Sequence, residues 1–259
     1  MGLRNFCKSL DKWASPVGLG LMIILNGTGC LPPGGRSSAH QPLTISGSIT
    51  IPKTAEHQLA ALYPYYLLSF KPRFKGERFP LLLVLHGRGV DPRNYFELWR
   101  QEAVKHRWMV LVPAYEKPNT NLSTFDFFLE KVVQKHPVDT GQLYVAGASA
   151  GALIVRGLVS KNPSQWKGAV LIASPPLREN PGQPGDYPPF LFVHGSQDTQ
   201  FSAESISKEV ENFRAQGIQT ELFLYPDAGH EHRPEWNERI FKWLLQVAAN
   251  SRAKAKKEG

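Results

Sequence analysis

The chain has 259 residues, of which 42% are hydrophobic and 20% charged. That composition suits one sizeable folded core and excludes a disordered or fibrous protein. The formal charge of +8 lies partly at the ends, because residues 1–29 carry a net +2 and residues 251–259 a net +3. The sequence between them has no basic stripe interleaved with aromatic residues, so we expect no nucleic-acid partner.

The first 29 residues have the order of a secretory signal peptide. Three cations precede the apolar stretch 17–25, and the small residues Gly27, Thr28 and Gly29 follow it. The apolar stretch is shorter than the ~20 residues of a membrane-spanning helix. We therefore expect residues 1–29 to direct export to a secreted, periplasmic or membrane-anchored location.

Cys7 and Cys30 are the only cysteines, so the rest of the chain holds no disulfide and no cysteine-ligated zinc ion. Cys30 directly follows the small residues, which resembles the lipidation site of bacterial lipoproteins. Gly27 departs from that pattern, since a leucine usually stands three residues before the cysteine. The resemblance implies a lipidated Cys30 that anchors the protein to a membrane; ordinary signal cleavage and an uncleaved anchor are the alternatives.

Residues 30–42 are rich in Pro, Gly and Ser and are typical of a flexible linker. We expect a single folded domain over residues 43–250 and a solvated basic tail over residues 251–259. The segments 43–52 and 62–70 alternate in polarity and contain β-branched and aromatic residues, which predicts two leading antiparallel strands.

From residue 79 onward, short apolar strands alternate with amphipathic helices. This alternation predicts an α/β fold in which helices cover both faces of a mostly parallel sheet. The predicted strands are 79–85, 108–112, 142–146, 169–173, 190–193 and 220–225. The predicted helices are 93–106, 123–135, 151–160, 203–215 and 235–249.

Residues 147–151 read Gly-Ala-Ser-Ala-Gly, between a predicted strand and a predicted helix. In this context a G-x-S-x-G sequence forms a sharp turn that lifts the serine hydroxyl above the edge of the sheet. Small residues are needed on both sides because the turn is crowded. We therefore predict that Ser149 is a nucleophile.

A serine nucleophile needs a base, and the base needs an orienting acid. Asp198 follows the predicted strand 190–193, and His230 follows the strand 220–225. The order Ser149, Asp198, His230 is that of a catalytic triad on a parallel sheet. Asp227 is the competing acid and His232 the competing base. We favour Asp198 because Asp227 adjoins a tight turn, and His230 because Gly229 suits the turn that presents it.

The sequence His86-Gly87-Arg88-Gly89 follows the first predicted parallel strand. A glycine-rich loop here lets the backbone approach a substrate oxygen, so we predict an oxyanion hole made by the backbone N–H groups of Arg88 and Ala150. His86 and His194 end strands and are expected to hold loops by hydrogen bonds.

Three aromatic residues, Tyr95, Trp99 and Phe201, lie at positions that could line a substrate pocket. We predict that they bind substrate, although packing is the competing interpretation. The sequence His230-Glu231-His232 lacks a third ligand at metal-binding spacing, so we expect no metal and no cofactor.

With these motifs placed, residues 49–245 resemble the α/β-hydrolase superfamily. The resemblance is to small serine esterases of the polyhydroxybutyrate depolymerase-like, feruloyl esterase-like, phospholipase/carboxylesterase and dienelactone hydrolase-like groups. It rests on the segments 80–87, 139–151, 194–198 and 228–230. Two features depart from it: Thr199-Gln200-Phe201 follows the acid where such esterases usually have a valine-proline pair, and metabolic dienelactone hydrolases use a cysteine nucleophile.

The resemblance implies a single-domain serine carboxylic ester hydrolase that acts on a small-molecule or polymer ester. The segment 175–189, where many lipases insert a lid, is short, so we expect no large lid. A serine peptidase of prolyl-oligopeptidase type is the first alternative. A non-catalytic binding protein on the same fold is the second.

Overall fold

A computed structural model describes residues 22–23, 42–51, 61–115, 121–177 and 187–258. Within these ranges the chain forms one nine-stranded sheet in the order β1-β2-β3-β5-β4-β6-β7-β8-β9. The strands are β1 (Met22–Ile23), β2 (Pro42–Ile51), β3 (Ala61–Phe70), β4 (Phe79–Leu85), β5 (Met109–Pro113), β6 (Val138–Ala148), β7 (Gly168–Ile172), β8 (Phe190–Gly195) and β9 (Thr220–Tyr225). Strands β1, β2 and β3 are antiparallel to their neighbours, whereas β4 to β9 are mutually parallel.

Five helices pack on the two faces of this sheet in the described part of the chain. They are α1 (Pro92–His106), α2 (Ser123–Lys135), α3 (Ala150–Lys161), α4 (Ala203–Ala215) and α5 (Trp236–Glu258). Helices α1 and α5 share one face, where His106 stacks on Phe241. Helices α2, α3 and α4 share the other face, where Arg156 of α3 pairs with Glu209 of α4.

Burial along the strands follows from this layering. Every residue of β4, β5 and β7 is buried, because helices cover both faces of the central sheet. In contrast, β9 at the edge exposes Glu221 and Leu224. The predicted α/β fold, the mostly parallel sheet and the antiparallel leading strands are confirmed.

The C-terminal segment differs from the prediction. Helix α5 continues to Glu258, nine residues beyond the predicted end at residue 249, so residues 251–258 are helical and not a tail. The physical reason is composition: this segment contains Ala, Lys, Arg and Glu, all good helix formers, and no Gly or Pro before Gly259.

Several predictions concern residues outside the described ranges. Most of the predicted signal peptide, Cys30 and nearly all of the linker lie there, as do residues 178–186 of the segment where a lid was not expected. In the described ranges, no helix combines the length and apolarity that a membrane crossing requires.

The parallel strands give the sheet two distinct edges. We call the edge where β4 to β9 begin the amino edge, and the edge where they end the carboxyl edge. Ser149 follows β6, His86 follows β4, and the loops that carry Asp198 and His230 follow β8 and β9. All of the predicted catalytic elements therefore lie at the carboxyl edge, as parallel topology requires.

Candidate active site

Ser149 forms a sharp turn between β6 and α3. Its backbone has φ +51° and ψ −116°, a conformation that non-glycine residues rarely adopt. Such a residue costs ~1–3 kcal/mol and persists only where its surroundings hold it. Here the Ser149 N–H donates to the carbonyl of Ile172 at 2.9 Å, which fixes the turn to the end of β7.

The two glycines of the G-x-S-x-G sequence are required by close backbone contact. A Cβ on Gly147 would lie 2.6 Å from the carbonyl carbon of Gly151, and a Cβ on Gly151 would overlap the carbonyl group of Leu85. Helix α3 thus begins directly against the end of β4. This contact brings Ser149 beside the loop that follows β4.

The structure brings Ser149, His230 and Asp198 together from three separate loops. The Ser149 hydroxyl lies 3.0 Å from His230 Nε2, and His230 Nδ1 lies 2.8 Å from Asp198 Oδ2. Because a carboxylate accepts only, Nδ1–H donates to Asp198, which leaves Nε2 free to accept the serine proton. This is the hydrogen-bond order that general-base activation of a serine requires.

Asp198 is a buried carboxylate with its hydrogen bonds satisfied. Its other oxygen, Oδ1, accepts from the N–H groups of Gln200 at 2.8 Å and Phe201 at 3.0 Å. Burial raises the pKa of Asp198, but the hydrogen bonds from Phe201, His230 and Gln200 outweigh burial and lower that pKa overall. Asp198 therefore stays ionised beside the imidazole.

The competing acid, Asp227, is not in this arrangement. Its side chain is 75% exposed and pairs with Arg233 at 3.2 Å. The loops that carry Asp198 and His230 are instead joined by backbone. Gln197 N–H donates to the carbonyl of Ala228 at 2.8 Å, and a Cβ on Gly195 would overlap the carbonyls of Ala228 and Gly229.

The loop after β4 lies against Ser149. A Cβ on Gly87 would be 3.5 Å from Ser149 Cβ, and Val90 N–H donates to the Gly87 carbonyl to close a turn in which Gly89 has φ +73°. Within the described residues, the N–H groups of Arg88 and Ala150 have no hydrogen-bond acceptor. Two free donors beside a serine hydroxyl match what an oxyanion hole needs, and this role for Arg88 and Ala150 stays a prediction.

His86 holds this loop through a hydrogen bond and a ring contact. Its Nδ1–H donates to the Gly87 carbonyl at 2.9 Å, and its ring stacks on Tyr115 with 4.3 Å between centroids. Tyr115, which follows β5, donates its hydroxyl to the His86 carbonyl. Tyr115 therefore stabilises the loop after β4, which carries the predicted oxyanion hole. The sequence did not predict this contact.

His194 holds the loop that carries Asp198 in a similar way. Its Nε2–H donates to the Phe201 carbonyl at 2.8 Å and lies 3.5 Å from Asp198 Oδ2. The Phe201 ring packs edge-on against the His230 ring, with 5.3 Å between centroids. Phe201 thus contacts the candidate base, and its predicted contact with substrate stays untested.

His232, the competing base, belongs to a separate network. Asn237 Nδ2 donates to the Leu98 carbonyl at 2.7 Å, so its Oδ1 faces His232 and accepts from Nε2–H at 2.8 Å. The unprotonated Nδ1 then accepts from the Tyr95 hydroxyl at 3.3 Å. Burial lowers the pKa of His232 to about 4, so this histidine is neutral and anchors the loop of His230 to α1 and α5.

The prediction that Trp99 and Tyr95 line a substrate pocket is wrong. Trp99 has no exposed surface and packs against the rings of His232 and Phe241. Tyr95 is only 4% exposed and uses its hydroxyl on His232. Both residues lie on the buried side of α1, where helical periodicity directs apolar side chains into the core.

Within the described residues, no group of three or more His, Cys, Asp or Glu side chains is arranged to hold a metal ion. The two histidines of the 230–232 segment also have different partners. His230 contacts Ser149 and Asp198, whereas His232 contacts Asn237 and Tyr95.

Comparison with known proteins agrees with this fold. Residues 172–251 match the sequence pattern of the prolyl oligopeptidase family. A poly(3-hydroxyoctanoate) depolymerase of Pseudomonas fluorescens is 25% identical over 149 residues, covering 53% of this chain and 54% of that protein. A Salmonella typhimurium protein named "Putative carboxymethylenebutenolidase" is 30% identical over 130 residues, covering 42% of this chain and 47% of that protein. The chain therefore spans about half the length of these relatives.

Among solved structures, the fluorophosphonate-binding serine hydrolase F of Staphylococcus aureus superposes with a TM-score of 0.64 at 15% identity. The superposition covers 80% of this chain and 98% of that one. At this identity the likeness establishes the fold. Together, the structural likeness and the partial sequence matches show that the chain has the α/β-hydrolase fold.

Proposed function

We propose that this protein is a serine carboxylic ester hydrolase that works through an acyl-enzyme on Ser149. The observation that carries the proposal is the continuous hydrogen-bond chain from Ser149 through His230 to Asp198. At the carboxyl edge, these three side chains lie near the backbone N–H groups of Arg88 and Ala150, which have no acceptor in the described part of the protein. A strained nucleophile, a base in the correct tautomer and an ionised acid are the components of covalent acyl transfer.

In the proposed mechanism, Ser149 Oγ attacks the ester carbonyl as His230 Nε2 takes its proton. Asp198 stabilises the imidazolium that forms, and the N–H groups of Arg88 and Ala150 hold the developing oxyanion. His230 then donates the proton to the departing alcohol. Water, deprotonated by the same imidazole, attacks the acyl-enzyme and regenerates Ser149.

An ester is favoured over a peptide by the names of the relatives. One is named poly(3-hydroxyoctanoate) depolymerase, and two are named "Putative carboxymethylenebutenolidase". Poly(3-hydroxyoctanoate) is a polyester, and a butenolide is a cyclic ester. The segment that matches the prolyl oligopeptidase family covers the loops of Asp198 and His230 and not the loop of Ser149. That match makes peptide hydrolysis the second candidate.

The decisive experiment compares the full chain with its Ser149→Ala variant on p-nitrophenyl acetate and butyrate and on a dipeptidyl p-nitroanilide. We expect ester hydrolysis by the wild type and a loss of ~10⁴-fold or more in the variant, as when a triad nucleophile is removed. Turnover of the anilide alone would favour the peptidase. No turnover of either class by a folded protein would contradict catalysis and favour a binding role.

A further inference from the structure

Charged residues are divided unequally between the two edges of the parallel sheet. Amino-edge segments contain eleven Lys or Arg against three Asp or Glu. Carboxyl-edge segments contain three Lys or Arg against seven Asp or Glu. The amino-edge segments counted are 71–78, 102–107, 135–141, 161–167, 214–220 and 250–253, and the carboxyl-edge segments are 86–93, 197–204 and 226–238.

Part of the excess at the amino edge has a local explanation. Helices α1 to α4 end at this edge, and each has a cation in its last turn, namely Lys105, Lys135, Lys161 and Arg214. Cations at a helix C-terminus are stabilised by the helix dipole and need no external partner. These four cations are therefore not evidence for a binding surface.

The loop between β3 and β4, residues 71–78, is different. It contains Lys71, Arg73, Lys75 and Arg78 and is not part of a helix. We call it the basic loop. Its one acid, Glu77, is shared by Arg73 at 2.7 Å and Arg107 at 3.4 Å. Lys71 and Lys75 are exposed and pair with no acid in the described part of the chain.

The basic loop also exposes a large aromatic side chain. Phe74 is 64% exposed and lies between Arg73 and Lys75. Gly76, two residues after Phe74, has a φ of +92° that permits the tight turn. Apolar side chains flanked by cations are typical of segments that lie at the surface of an anionic membrane, where the ring enters the headgroup region and the cations meet lipid phosphates.

The topology brings Pro42, the first described residue after Cys30, to the same edge. Pro42, the first residue of β2, pairs with Phe70, the last residue before the basic loop. The chain that precedes Pro42 therefore enters the domain beside this loop. Cys30 is twelve residues earlier, so a lipid on it would be at most about 40 Å from Pro42.

We propose that the basic loop and Phe74 form a docking surface for a bilayer of anionic phospholipids. In this orientation the carboxyl edge and Ser149 face away from the membrane. The proposal rests on exposure, charge and topology and is independent of the proposed hydrolase activity.

The test is sedimentation of the full chain with vesicles of phosphatidylcholine, alone or with about one third phosphatidylglycerol. Binding through apolar residues is common to both vesicle types, so the difference between them reports the cations of the chain, and the variants below locate the share that belongs to the basic loop. We expect at least about tenfold tighter binding to the anionic vesicles, since each cation near such a surface contributes about fivefold. High salt should abolish the difference, because it screens surface charges.

Two variants with matched controls locate the surface. We expect Lys71→Glu with Lys75→Glu to weaken anionic binding by about tenfold or more. The control is Arg93→Glu with Lys208→Glu, two exposed cations away from the amino edge, which should bind as the wild type does. We expect Phe74→Ser to weaken binding by about fivefold. Its control is Leu62→Ser, because Leu62 is equally exposed at 64% but lies at the opposite end of β3.

Circular dichroism melts show that each variant is folded without reference to catalysis. Equal binding to both vesicle types, or equal losses in the variants and their controls, would overturn the proposal. So would full competition by heparin combined with no effect of Phe74→Ser, since the surface would then bind soluble polyanions in general. Selective loss in the basic-loop variants supports docking to lipid.

Discussion

His230 and His232 are separated by one residue, yet their imidazoles belong to different hydrogen-bond networks. His230 connects Asp198 to Ser149 at the carboxyl edge. His232 connects Tyr95 of α1 to Asn237 of α5. The second histidine thus fixes the backbone from which the first one projects, and the two are expected to respond differently to pH and to mutation.

We expect low pH to destabilise the protein, because His232 becomes protonated more readily in the unfolded chain. Burial lowers its pKa to about 4, from the ordinary value near 6.5 in the unfolded chain. Since the unfolded state takes up a proton at higher pH than the folded state does, the contribution of His232 to stability is complete above about pH 6.5. It is lost progressively as the pH falls toward 4. Urea unfolding across this range measures the slope.

The variant His232→Gln removes this titration and should flatten the slope between pH 6.5 and 4. The slope should not vanish, because burial also lowers the pKa of His86. Stability at pH 8 should fall as well, since the bonds to Tyr95 and Asn237 change. An unchanged slope in His232→Gln would show that His232 does not titrate in this range.

The two candidate acids offer a matched comparison. Asp198→Asn keeps the shape of the side chain but removes the charge and favours the wrong tautomer of His230. We expect it to lower kcat on p-nitrophenyl butyrate by about 10⁴-fold. Asp227→Asn removes the partner of Arg233 at the surface and should leave kcat within about twofold. A large loss in Asp227→Asn would reassign the acid.

Glycine replacements test the contact between the loop that carries Asp198 and the loop that carries His230. Gly195→Ala places a Cβ against the carbonyls of Ala228 and Gly229, so we expect a loss of about 2–4 kcal/mol in the free energy of unfolding. Gly229→Ala is the control, because its Cβ would meet nothing nearer than 3.9 Å. Thermal unfolding compares the two variants, and equal losses would argue against a backbone clash at Gly195.

The buried pair Arg156–Glu209 joins α3 to α4 and also holds the segment after β7. Arg156 donates to Ser174 and to the carbonyl of Pro175, while Glu209 accepts from the N–H of Leu177. Arg156→Met leaves the Glu209 carboxylate buried without its partner, and we expect a cost of about 3–5 kcal/mol.

The double variant Arg156→Met with Glu209→Leu should recover most of that loss, because it removes both buried charges. As a control, Lys208→Met breaks the exposed pair with Glu204 and should cost less than about 1 kcal/mol. Denaturant melts distinguish these outcomes. A double variant no more stable than Arg156→Met would indicate that the pair acts through its bonds to Ser174 and Leu177.

The fold and the grouping of Ser149, His230 and Asp198 can be predicted from the sequence because local patterns determine them. Buried parallel strands appear as unbroken apolar runs, and the G-x-S-x-G turn needs small residues at fixed positions around Ser149. The order of strands then decides which loops share an edge. Asp198 and His230 could be assigned to that edge without knowing any distance.

The contacts that hold the loops of the candidate site cannot be predicted from the sequence, because they join residues far apart in the chain. Tyr95 contacts His232 across 137 positions, and Tyr115 donates to the carbonyl of His86 across 29. Neither contact has a local signature, so the sequence alone favours a substrate-binding role for aromatic residues near the site. The end of α5 is hard to predict for a different reason: clustered lysines are typical of a solvated tail, although lysine and alanine also favour a helix.

The excess of acids around the carboxyl edge has a consequence for what leaves the site. The proposed ester hydrolysis would release a carboxylic acid that ionises at neutral pH, and the carboxyl-edge segments counted above contain seven acids against three cations. The resulting negative potential would repel the carboxylate product of the proposed reaction. We therefore expect weak product inhibition by simple carboxylates, and weaker still at low ionic strength, where the repulsion is least screened.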